Sequence, residues 1–343
     1  MQAIASVRVV ESNIKMFNSL SNVYFKGFWT TGNGLACKDI LIQDSVIDGI
    51  KTALDNTYTW SVPSTSVNAF NVGGEGTKHS NTQDLILRRC VLQNMSLATT
   101  PAVSSSRIYT TVLLTGPNCV GTTNSNVLFE DITCYNLTSD CAFTNQSSTP
   151  PFYVTTGFVV SSSFTLRRCI ASLINGVQGL VSGVSNGTSV PTPQSSVVID
   201  DCEFNNIKLI AGGNVLASAG PSSAGISFSG VNASQISKTS IRDITSANVL
   251  ANAYGIRYTG SNVSILNNKI FNCTTSGISY STPQTSANFN TLLGNYVGFC
   301  GTGATTPAAF SNYENANVLL VPFRDWPATG LPVATAAGDS DNI

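Results

Sequence analysis

The residues best equipped for chemistry stand in pairs. Gln43-Asp44, Arg88-Arg89, Glu130-Asp131, Arg167-Arg168, Asp200-Asp201 and Arg242-Asp243 each precede a small, amide-bearing or apolar residue by one step. Their signs alternate along the chain. Only 17 Lys and Arg and 18 Asp and Glu occur in 343 residues, and these pairs hold five of the former and six of the latter. Asp200-Asp201 has the composition of a catalytic carboxylate pair. The whole set also fits an ionic ladder, since opposite charges attract and like charges repel at strand spacing. The ladder explains every pair at once, so it is the reading adopted here. The single histidine, His79, lies in the polar stretch EGTKHSNTQD, flanked by Glu75 and Asp84. Two carboxylates at a set separation are what a glycosidase needs. A lone loop histidine is more simply a solvated one. No nucleophile elbow, phosphate loop or dinucleotide fingerprint occurs in a strand-to-helix context. No catalytic, cofactor-binding or metal-binding set is assigned, and no cofactor is expected.

Nine cysteines stand at 37, 90, 119, 134, 141, 169, 202, 273 and 300. None groups with histidine at zinc-ligand spacing. Six of them fall on inward positions of the repeat described next, so they are expected as buried free thiols. Cys119 with Cys141 is the one pair proposed as a disulfide. Seven Asn-x-Ser/Thr sequons occur, about the number composition alone supplies, so they are no evidence of glycosylation. Asn145 and Asn186, in polar loops, would be the accessible ones in a secreted chain.

The elements that must position these residues form a repeat. Nine segments share a template of apolar, two residues, anchor, one residue, apolar, two residues, apolar. They include IQDSVIDGI at 42–50, LRRCVLQNM at 87–95, FEDITCYNL at 129–137, LRRCIASLI at 166–174 and IDDCEFNNI at 199–207. IRDITSANV at 241–249, ILNNKIFNC at 265–273 and LLGNYVGFC at 292–300 follow, and VVESNIKMF at 9–17 precedes them all. The anchors are Ser12, Ser45, Cys90, Ile132, Cys169, Cys202, Ile244, Asn268 and Asn295. Asn recurs four residues after the anchor at Asn94, Asn136, Asn206, Asn248 and Asn272. Asn tolerates the left-handed conformation of a tight turn, and stacked amides can hydrogen-bond. Further strands such as GISFSG at 225–230 and YGIRYTG at 254–260 alternate apolar with small or polar residues. Loops rich in Gly, Ser, Thr, Pro and Asn absorb the uneven gaps.

Short strands joined by turns cannot bury their inward faces singly, and stacking them at about 4.8 Å builds one core. The segments NVSILNNKIFNC and SVVIDDCEFNNI in particular resemble the right-handed parallel β-helix, pectin-lyase-like superfamily. The resemblance covers roughly residues 5–300. It implies an all-β fold, a single right-handed parallel β-helix solenoid of about nine or more coils. The domain reading is a parallel β-helix over 1–300 and a C-terminal strand or cap segment over 301–343 with a mobile acidic tail. VLLVPF would add a last strand, with Trp326 closing the end. That superfamily includes polysaccharide lyases, glycoside hydrolases, tailspikes, adhesins and viral surface proteins. In pectate lyases carboxylates beside an Arg hold calcium, which gives Asp200-Asp201 a second functional reading. The Gly-His-Gly and Arg-Ile-Lys tripeptides of the galacturonases are absent from this chain.

Composition narrows the function. Charged residues are 10%, against about 25% in ordinary domains, while 80 positions are Ser or Thr. No basic run marks a nucleic-acid partner, and no apolar run approaches the 18 or so residues of a membrane span. No basic region followed by an apolar stretch marks a signal peptide. The first motif begins within the first ten residues, leaving little room for a cap over the first coil. Self-association, or another subunit over that coil, is the expected partnership; a glycan is a further candidate. The leading expectation is a structural surface or fibre protein, extracellular, on a cell surface or on a virion. The alternatives are a carbohydrate-binding adhesin or tailspike-like module, with Trp29, Tyr58, Trp60 and Tyr109 as sugar platforms, and a polysaccharide lyase or hydrolase.

Overall fold

The computed structural model describes residues 7–10, 13–15, 18–19, 25–30, 36–48, 51–54, 67–72, 81–99, 126–141, 152–154, 163–176, 180–186, 196–210, 222–247, 252–280, 291–301, 304–305, 312–313 and 318–319. Among these the fold is all-β, with no helix. The strands form one 14-stranded sheet, one 12-stranded sheet and a separate pair, Phe25–Thr30 with Val67–Val72. The pairings are parallel in each sheet. The chain crosses from the first sheet to the second at a short turn, then returns to the first. Ser163–Arg167 pairs with Ser196–Asp200 in the first sheet, and Ile170–Gly176 pairs with Glu203–Leu209 in the second. Each repeat thus adds a strand to both sheets.

Apolar alternation decides which side faces in. Along Ser196–Asp200, Val197 and Ile199 are buried while Ser196, Val198 and Asp200 are half-buried. Stacked partners then make continuous apolar rows. One row runs Ile42, Leu87, Phe129, Leu166, Ile199, Ile236, Ile265 and Leu292, all buried. Each such side chain contributes about 1.5–3 kcal/mol on leaving water.

The register corrects one motif. Glu203–Leu209 pairs with Ser240–Ser246, setting Phe204 beside Ile241 and Ile207 beside Ile244. Ile244 therefore closes its repeat, five residues past the true anchor, Thr239. Arg242-Asp243 is not a turn pair; Ser237-Lys238 takes that place. Asn248 lies outside the described residues, and Asp243 fills the position four after the anchor.

With that register, each residue just before an anchor is left-handed: Asp44, Arg89, Asp131, Arg168, Asp201, Lys238 and Asn267 have φ between 49° and 55°, and Gly294 has 67°. The reversal turns the anchor inward. Its side chain then donates to the carbonyl two residues back: Ser45 Oγ to Gln43 O at 2.8 Å, Thr239 Oγ1 to Ser237 O at 3.0 Å, and Asn295 Nδ2 to Leu293 O at 3.2 Å. The thiols of Cys90, Cys169 and Cys202 do the same at 3.3 Å. Most anchors are small side chains with a donor; Asn268 donates instead to Ile236 O at 3.0 Å, and Ile132 alone among the described anchors has no donor. The anchors also bond from repeat to repeat. Thr239 N donates to Asn268 Oδ1 at 2.9 Å, and Asn268 N to Asn295 Oδ1 at 3.0 Å.

A second left-handed row follows four residues after the anchors. It holds Asn94, Asn136, Asn206, Asp243 and Asn272, with Leu173 and Phe299 as the non-polar members. The expected amide stacking is present at one step, Asn136 Nδ2 donating to Asn94 Oδ1 at 2.8 Å; Asn94 Nδ2 and Asn272 Nδ2 donate instead to the carboxylates of Asp48 and Asp243, each at 2.7 Å.

A glycine row went unread in the sequence. Gly183, Gly225 and Gly255 occupy matching places, flanked by Ser182↔Ala224 and Val184↔Ile226, then by Ala224↔Tyr254 and Ile226↔Ile256. A Cβ at Gly225 would meet Ile241 Cγ2 at 2.6 Å and Gly255 O at 2.8 Å; one at Gly255 would meet Ile270 Cγ2 and Gly277 O at 2.5 Å. The absent side chain lets these strands close against the second sheet's apolar row.

At the far end Val318–Leu319 pairs with Tyr296–Val297, so part of VLLVPF is a strand. Trp326 and the acidic tail lie outside the described residues.

Two substitutions test this account by urea or thermal unfolding. Gly225→Ala is expected to cost about 1–3 kcal/mol through overpacking. Leu173→Asn is expected to stabilise by about 1 kcal/mol, because a left-handed L-residue costs roughly 1–2 kcal/mol and Asn least of all.

Candidate functional site

The charged turn row is the densest set of ionisable groups among the described side chains. Arg89 forks onto Asp44, Nε to Oδ1 at 2.5 Å and Nη2 to Oδ2 at 2.7 Å. Arg168 repeats this on Asp131 at 2.7 and 3.0 Å, and its Nη2 also reaches Glu130 Oε1 at 2.9 Å. Arg167 Nη1 lies 3.6 Å from Glu130 Oε1. Lys238 Nζ sits 3.9 Å from Asp200 Oδ1, which also accepts from Ser237 Oγ at 2.8 Å. Arg88 donates to the Gln43 amide oxygen at 2.9 and 2.7 Å. The ladder is therefore present, with Lys238 in the place given to Arg242-Asp243. It is built as rungs: each of these cations reaches back to the repeat before it.

These bonds set the electrostatics. The Arg89 guanidinium, by its hydrogen bonds, holds the Asp44 carboxyl below the usual carboxylate range, and Arg168 does the same to Asp131. The carboxylates in turn raise both guanidinium groups. A carboxylate held anionic by a fork of N–H donors is a weak proton acceptor at neutral pH. What the row can do is tie successive repeats together in register. The partners stay in contact with water, so screening keeps each contribution small.

Arg242 instead stands on the outward side of the second sheet. Its Nη2 donates to Glu203 Oε1 at 3.1 Å, and Asn205 Nδ2 donates to the same oxygen at 2.7 Å. Ser172 Oγ continues the network to Asn205 Oδ1 at 2.5 Å. Sequence reasoning missed this patch because the slipped register put Arg242 at the turn.

Cys90, Cys134, Cys169, Cys202, Cys273 and Cys300 are buried free thiols, as expected. Burial pushes the Cys134, Cys169 and Cys273 thiols well above their ordinary value, and Cys90 upward too. Nucleophilic and metal-binding chemistry needs the thiolate, which burial disfavours. Among the described residues no group of three His, Cys, Asp or Glu converges as a metal site, and no helix is long and apolar enough to cross a membrane.

His79, Glu75, Cys119, Asn145, Tyr58, Trp60 and Tyr109 lie outside the described residues. So do the side chains of Asp84, Cys141, Asn186 and Trp29, whose strands are described. Among described side chains the large exposed apolar groups are Tyr135, Leu293 and Tyr296. Tyr296 sits in a ring cluster, 5.1 Å from Phe271 between centroids, with Phe299 6.5 Å beyond Phe271.

The ion-pair rungs carry a pH signature. Asp44 and Asp131 have depressed folded values, so their contribution is present above the unfolded carboxylate value of about 3.9 and is lost as pH falls through the lower folded one. Thermal melts should show the parent losing stability over that acid window. Asp131→Asn should be less stable than the parent at neutral pH, with the gap closing below the window and narrowing in high salt. Equal gaps at all pH values would remove the rung.

Comparison with protein-family models, curated proteins and solved structures finds no match to this chain.

Proposed function

We propose that this chain is a structural β-helical rod that assembles through its ends or faces, on a cell surface, in an appendage or on a virion. In this reading the two parallel sheets are walls of one right-handed solenoid of about nine or more coils, akin to the pectin-lyase-like superfamily. One observation carries it: side chains that could have formed a reactive site are spent on joining one repeat to the next. The acids of the turn row bind the cations of the following repeat, the anchors bond anchor to anchor, and the asparagine row bonds to amides and carboxylates of the repeat before. A glycoside hydrolase needs carboxylates released for proton transfer; Asp44 and Asp131 are instead locked by guanidinium forks.

Such a rod grows along the stacking direction. Parallel strands give it two unlike edges, and unlike edges favour head-to-tail contacts that propagate as open filaments. Side chains already used inside the stack, small donors and alternating charges, are the natural currency of that contact. Surface residence agrees with the low charge and the abundance of Ser and Thr.

Negative-stain electron microscopy of the natively purified protein is the direct test. Filaments, or rods joined end to end, are expected, shortening when salt screens the charged turns. Dispersed single rods or compact trimers at all concentrations would overturn end-to-end assembly.

A further inference from the structure

We propose that the outward face of the second sheet, at its C-terminal end, is a binding site for a neutral oligosaccharide, with Phe271, Tyr296 and Phe299 as its platform. The inference is independent of the assembly reading. Lys269 pairs with Tyr296, and Phe271 with Gly298. Gly298 has no side chain to separate the rings, so Phe271 lies against both Tyr296 and Phe299, tilted by 45° and 34°. Tyr296 is 38% exposed, among the most exposed large apolar side chains described.

Phe299 supplies the second observation. It occupies the left-handed row, at φ 55°, where Asn94, Asn136, Asn206 and Asn272 stand in other repeats. A bulky aromatic residue is strained in that conformation, and such strain persists where something other than the backbone's own preference holds it. Here the ring it delivers completes the cluster. Leu173 shares the row without adding to any described ring cluster.

The surroundings select the ligand. Lys269 and Asn272 border the rings and are exposed. Asn272 uses its Nδ2 on Asp243, a bond that leaves its carbonyl oxygen as an acceptor. An apolar protein surface laid here would bury those polar groups without partners, which is costly. A pyranose brings C–H faces for the rings and hydroxyls for the rim. Among the described residues the nearby charges balance, Lys269 and Arg242 against Glu203 and Asp243, with Arg242 already bound to Glu203 at 3.1 Å. An uncharged sugar chain is therefore the class that fits.

The test uses the full chain with short neutral gluco- and galacto-oligosaccharides, and uronic-acid oligomers as the charged comparison. Saturation-transfer NMR and calorimetry read binding; thermal melts read folding. Neutral oligomers should bind, and Tyr296→Ala and Phe299→Asn should each lose affinity by about tenfold or more. Phe299→Asn should also melt at or above the parent temperature, since Asn suits the backbone there. Leu173→Asn should bind like the parent. Absence of binding by every neutral oligomer, binding of the uronic-acid oligomers alone, or unchanged affinity in Phe299→Asn would overturn the site. A lower melting temperature for Phe299→Asn would make Phe299 a packing residue and overturn it equally.

Discussion

Everything in this fold hangs on the reversal just before each anchor. A residue at φ near +50° lets the chain leave the first sheet and enter the second within two positions. The reversal leaves a carbonyl at the turn, and the anchor side chain meets it from inside. Those carbonyls also accept a backbone N–H from the preceding repeat, as Arg88 O does from Asp44 N and Asp200 O from Arg168 N, so the anchor adds a second bond at the turn. Ser, Cys, Thr and Asn interchange there. All four are small, and all four carry a donor. Ile132 departs from the rule, and its neighbours in the stack are Cys90 and Cys169.

The outer rows are consequences of that turn. Because the reversed residue points to solvent, the turn surface can carry charge, and parallel stacking places each charge beside the next. Alternating signs follow from the repulsion that a uniform column would suffer. The rungs are discontinuous, each of the described cations reaching back one repeat. The asparagine row adds hydrogen bonds of its own between repeats, Asn136 to the Asn94 amide and Asn94 and Asn272 to the carboxylates of Asp48 and Asp243. Two independent side-chain systems thus hold one register on the outside, and a polar spine holds it on the inside.

Function reads differently once those commitments are known. The pair Asp200-Asp201 invites a catalytic interpretation in isolation. In the structure Asp200 is bound by Ser237 and lies near Lys238. The aromatic cluster has the opposite history. The repeat template sets Phe271 one repeat before Tyr296 and Phe299, and parallel pairing brings all three onto one face.

The sequence by itself determined the all-β class, the inward cysteines and the left-handed asparagines, because each depends on a residue's own size, polarity and backbone preference. It could not determine the register of residues 236–244. The template's apolar point and anchor are three residues apart, and so are its last two apolar points. Sliding the pattern by five therefore matches again, and Ile241 and Ile244 satisfy it in either frame. Only pairing with Phe204 and Ile207 removes the ambiguity. The glycine row was equally silent, since a glycine's necessity lies in the atom it lacks, and Ile241 and Ile270 stand where that atom would go. Which charges meet, and which rings share a face, belong to the tertiary structure for the same reason: each is a relation between repeats about 25 to 45 residues apart, set by how the strands stack.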